Sequence, residues 1–119
     1  MSRFPKNARM LRAQESTDVL RGPQINLSAG PLRIRARKNR MCAARLGLII
    51  PKKGNRLAVR RNRIKRLIRE QFRQYQAQLP DYDVVVQVFA PIEDEVLCAR
   101  LQDMWQQLVA ADRATNSGT

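Results

Sequence analysis

Leu46-Gly47-Leu48-Ile49-Ile50-Pro51-Lys52-Lys53-Gly54-Asn55, followed from Leu57 by Ala58-Val59-Arg60-Arg61-Asn62-Arg63-Ile64-Lys65-Arg66-Leu67-Ile68-Arg69-Glu70, is the stretch whose reading decides the fold. Its first five residues are a short apolar run stopped by Pro51, the pattern of a largely buried strand. Lys52 to Asn55 then has the composition of a basic turn. From 57 to about 77 the apolar spacing becomes helical. Counting 100° per residue from Ile64, the residues Leu57, Leu67, Ile68, Phe72 and Tyr75 fall in an arc from about 300° through 0° to about 80°. That arc is the expected core face. Asn62, Lys65, Arg66, Arg69 and Arg73 fall between about 100° and about 200°, a cationic stripe beside the apolar one. Arg61, at about 60°, borders the core face and is placed to reach across the groove between helix and sheet, while Arg63 and Glu70 turn towards solvent.

Further along the chain, Pro80-Asp81 marks a turn and residues 83–89 read as a strand on β-branched content. After Pro91, the acids Glu93, Asp94 and Glu95 suit the positive end of a final helix. Leu97, Leu101, Met104, Trp105 and Leu108 recur at helical spacing, which makes Trp105 a core residue rather than a stacking platform. Before the deciding stretch, Leu32, Ile34 and Ala36 alternate with Arg33, Arg35 and Arg37, as in a half-buried strand with a cationic outer face over 31–38. A short helix over 11–20 ends before Gly22-Pro23. The expected organisation is a basic N-terminal arm over 1–10, a single α+β domain over 11–112 and a polar tail over 113–119.

The chain has 119 residues and 23 basic against 10 acidic side chains, a formal charge of +13. Residues 1–73 hold 21 basic and 3 acidic side chains, net +18, and residues 74–119 hold 2 and 7, net −5. Between Lys52 and Arg73 ten basic residues face one acid, Glu70. Concentrating like charges in one unit costs self-repulsion that phosphates would relieve, so the expected partner is a polyanion. There is no histidine, which removes the commonest general base and zinc ligand. Cys42 and Cys98 lack metal-site or disulfide-framework spacing. Asp81, Asp83, Glu93, Asp94 and Glu95 are explained by turn and helix-start roles rather than metal binding. No apolar run approaches a membrane span, so a cytoplasmic protein without membrane partners is expected.

The deciding stretch closely resembles the signature of the bacterial ribonuclease P protein subunit, strongly over 45–73 and more loosely over about 4–112. The resemblance implies a two-layer α+β sandwich, with a small mixed sheet of about four strands packed with three helices. It also implies a left-handed βαβ crossover through the arginine-rich helix, as in the second domain of a small-subunit ribosomal protein; the general rule favours the right hand. It implies a subunit that binds the catalytic RNA and the 5′ leader of precursor tRNA and assists endonucleolytic removal of the leader. The hydrolysis would then be done by the RNA with Mg2+, with no cofactor on the protein alone and no catalytic residue in it. The RNA-binding candidates are Lys52, Lys53, Arg56, Arg60, Arg61, Asn62, Arg63, Lys65, Arg66, Arg69 and Arg73. The family holds the leader in a groove between sheet and first helix, with aromatic residues near that helix. Here the corresponding region has Ser16 and Leu20, so Arg33, Arg35, Arg37 and Phe4 are the leader-groove candidates. A ribosomal or other structured-RNA-binding protein without a tRNA-processing role is the alternative. A duplex-DNA module is disfavoured, because a strand and turn precede the basic helix where a partner helix would be needed.

Overall fold

Apolar alternation and turn chemistry produce a four-stranded mixed sheet with helices on both faces. The computed structural model describes residues 11–39 and 43–117; the arm over 1–10, with Phe4, and Cys42 lie outside them. Helix α1 spans Ala13–Arg21, strand β1 Ile25–Ala29, β2 Leu32–Lys38 and β3 Arg45–Ile49. Helix α2 spans Ala58–Tyr75, β4 Tyr82–Val88 and α3 Asp94–Ser117. The strand order is β1-β2-β4-β3, with β4 antiparallel to β2 and parallel to β3. Thus β3, α2 and β4 form a parallel crossover unit.

The core side of the sheet carries Leu32, Ile34 and Ala36 of β2, Leu46 of β3 and Val84, Val86 and Val88 of β4, all buried. Ile64, Ile68 and Phe72 of α2 and Leu97, Leu101, Met104, Trp105 and Leu108 of α3 complete this core. Burying each of the larger of these side chains contributes roughly 1.5–3 kcal/mol. The Phe72 and Trp105 rings meet edge to face, 6.1 Å apart. Trp105 is fully buried, as its spacing predicted. Burial and a hydrogen bond to the Asp112 carboxylate push the Tyr82 phenol up to about 12, tying the start of β4 to α3.

Three features differ from the sequence reading. Strand β1 was not recognised as a separate element; Gly30, at φ 61, and Pro31 close a two-residue hairpin that pairs it with β2. Leu57, placed on the core face by the wheel, is 72% exposed. It is the N-cap residue, with φ −81 and ψ 124, so the helical rotation does not extend to it. Helix α3 continues through Ser117, so residues 113–117 form its last turns rather than a tail.

Helix α1 lies on the other side of the sheet, against β4 and β2 and, more lightly, β3. Leu11 N–H donates to Leu46 O at 2.8 Å, and Ser16 and Val19 are buried beneath the helix. Gly47 permits the approach, since a Cβ there would run into Ser16 Oγ and crowd Leu11. Arg45 fastens the helix electrostatically. Its Nε and Nη2 donate to the two oxygens of Asp83 at 2.8 and 2.9 Å, and its Nη1 donates to Glu15 at 2.9 Å. The bidentate bond to Asp83, ahead of its charge and Glu15, holds the Arg45 pKa above its ordinary value despite partial burial.

Candidate nucleic-acid interface

The eleven candidates of the 52–73 unit lie on helix α2 and the turn before it, and they divide into two groups. Three of them hold the fold. Arg60 Nη1 donates to Asp94 Oδ1 at 2.7 Å and its Nη2 donates to Ile92 O, while Arg63 Nε donates to Asp94 Oδ2 at 2.6 Å. Asp94 stands in the first turn of α3, so these bonds lock the start of that helix to α2. The hydrogen bonds from Arg63 and then Arg60 hold its carboxyl below the ordinary carboxylate range. Arg61 Nη1 donates to Asn55 O and Arg56 O, both at 2.9 Å, and so fastens the turn to the helix instead of crossing to the sheet.

The remaining candidates face outward. Lys52, Lys53, Arg56, Asn62, Arg66, Arg69 and Arg73 are exposed and Lys65 is half-buried. Among the described residues none of these eight side chains has an ion pair or hydrogen bond. The first turn of α2 contains no acid and Leu57 provides no side-chain cap, so the positive helix end adds to the cationic potential. The basic turn is seated by Gly54, whose missing Cβ would strike the carbonyl of Phe89 just past β4. Asn55 beside it is buried, with both side-chain amide atoms unpaired among the described residues.

The leader-groove candidates lie elsewhere, on the sheet face that α1 covers only in part. Arg33 and Arg35 are half-buried and Arg37 is exposed. Arg33 pairs in register with Gln87, and its guanidinium stands 5.2 Å from the centre of the Phe89 ring. Phe89 was not among the candidates. Its spacing of two residues beyond Gln87, in a run that reads as a strand over 83–89, was the signal that could have found it.

Comparison with known proteins agrees with this architecture. Residues 4–111 match the family model described as Ribonuclease P. The ribonuclease P protein component of Halorhodospira halophila is 43% identical over 106 residues, covering 87% of this chain and 87% of that protein. That of Pseudomonas aeruginosa is 35% identical over 117 residues, covering 96% and 87%. The RNase P protein from Thermotoga maritima superposes with a TM-score of 0.70 at 25% identity, covering 83% of this chain and 96% of that one. That from Staphylococcus aureus gives 0.71 at 22% identity, covering 80% and 89%, a likeness of fold.

Proposed function

The chain belongs to the ribonuclease P protein family, the protein components of a ribonucleoprotein that processes tRNA, and on that premise we propose that its eight outward-facing groups dock it on the catalytic RNA. The observation that carries this is the division of the basic unit. Arg60, Arg61 and Arg63 are consumed in holding the surface together, and the other eight are left without side-chain partners among the described residues. Lys65 and Arg69, four residues apart, repel one another by a few tenths of a kcal/mol in the isolated helix, a cost that phosphates remove.

With the protein docked there, the partly open sheet face with Arg33, Arg35 and Arg37 guides the 5′ leader of precursor tRNA towards the RNA-borne active site. Holding the leader against the catalytic RNA converts part of the encounter into a positioned, intramolecular event. The protein's own contribution is binding, orientation and neutralisation of phosphate repulsion. The residues do not fit a protein-held magnesium ion: the interface consists of cations and one amide, and no three cysteine, aspartate or glutamate side chains gather among the described residues. On this reading Mg2+ would act with the RNA. The cytoplasm is the compartment this role requires.

A salt titration of assembly with the catalytic RNA tests the docking face. Each lost phosphate contact reduces the slope of log affinity against log salt by about 0.7–0.9. Lys65→Ala with Arg69→Ala should therefore flatten the slope by about 1.4–1.8. An unchanged slope and unchanged assembly would show that the face is misassigned.

A further inference from the structure

We propose that Phe89 and Arg33 form a stacking seat for one unpaired leader nucleotide, placed at the end of β4 rather than on the first helix. This rests on the leader-guiding role proposed above. On the α1 side the face is closed: Ser16 and Leu11 sit directly over Gly47, and Val19 is 1% exposed. Among the described residues helix α1 carries no ring, and Ser16 and Leu11 fill the space over Gly47. Beyond α1 the same face continues through Gln87 to Phe89, which is 40% exposed. The other exposed large hydrophobics among the described residues, Leu57, Val59 and Val96, are aliphatic.

Arg33 completes the seat. It forms no ion pair among the described residues, and its guanidinium lies over the Phe89 ring. A guanidinium held against a ring stays charged and keeps its N–H groups for a phosphate oxygen, and both planes are surfaces on which a base stacks. Two further polar atoms on this face have no partner among the described residues: Arg35 Nε and Gln87 Oε1, the latter on a residue only 8% exposed. The contact of Gly54 with the Phe89 carbonyl places the Lys52–Lys53 turn beside the seat. A strand of RNA leaving the ring thus meets the docking surface at once. Stacking of this kind tolerates any base, so the seat supplies affinity with weak sequence preference.

The test uses holoenzyme reconstituted with the catalytic RNA and precursor tRNA with or without a single-stranded 5′ leader. Phe89→Ala should weaken binding of the leadered precursor about five- to a hundredfold, the range for losing one stacked base. Phe89→Trp should restore it, and Phe89→Leu, which keeps apolar bulk, should not. In a scan of abasic substitutions along the leader, one position should matter to the wild type and cease to matter in Phe89→Ala. Should Phe89→Ala lose the fold, the Leu and Trp variants carry the same comparison. Wild-type leader affinity in Phe89→Leu, or an abasic profile that Phe89 variants leave unchanged, would overturn the seat while leaving the leader-guiding role intact. Equal wild-type affinity for leadered and leaderless precursor would overturn both.

Discussion

Single residues decide how closely the layers of this protein approach. Gly47 is the clearest case, because an added methyl group meets Ser16 Oγ and Leu11 rather than open space. Gly47→Ala should destabilise the fold by about 1–3 kcal/mol, the usual cost of overpacking, as read by urea denaturation. Removing the oxygen it strikes should relieve part of that cost. The double variant Gly47→Ala, Ser16→Ala should therefore be more stable than the sum of the single effects allows, the sign expected for side chains in contact. None of this was legible beforehand. The sequence shows a glycine in an apolar strand, which signals close approach in general, but the partner, Ser16, is on a helix thirty-one residues earlier.

At the scale of elements, helix α2 was readable almost to its ends. Its apolar arc from Ile64 to Phe72 is buried and its stripe from Asn62 to Arg73 faces outward, because both depend only on helical rotation. Its charge partners depend on where α3 lands. Arg60, at about 320° on the same wheel, points with the apolar arc, and its partner Asp94 belongs to a helix thirty-four residues on. The junction should be sensitive to acid. Asp94 has a carboxyl pKa below its unfolded value, so its stabilisation is complete above about pH 4 and is lost as pH falls through the depressed pKa. In acid unfolding followed by circular dichroism, the wild type should be more stable than Asp94→Asn near neutrality. That advantage should vanish below the ordinary carboxylate range. A constant difference across pH would show that the ion pairs to Arg60 and Arg63 contribute nothing.

Across the whole molecule, a charge division of +18 over 1–73 and −5 over 74–119 becomes a spatial arrangement. The positive part supplies the outward-facing cations proposed for docking and the arginines of the partly open sheet face, and the acidic part contributes Asp83 and Asp94 to fasten arginines of the first part. The fold also has an alkaline limit. The Tyr82 phenol, raised from 10.0 to about 12, gives stability that is full below pH 10 and lost as pH rises through about 12. Tyr82→Phe should flatten this alkaline loss in a denaturation series, and an unchanged series would place its cause elsewhere. The central claim is that this cationic surface assists an RNA that carries the chemistry. It is tested most directly by adding the purified protein to the cognate catalytic RNA at low magnesium and measuring release of the 5′ leader from precursor tRNA. The account predicts marked acceleration by the wild type, loss of that acceleration with Lys65→Ala and Arg69→Ala, and no cleavage by protein alone. Leader release by the protein without RNA, or no stimulation of the RNA at any magnesium concentration, would contradict it.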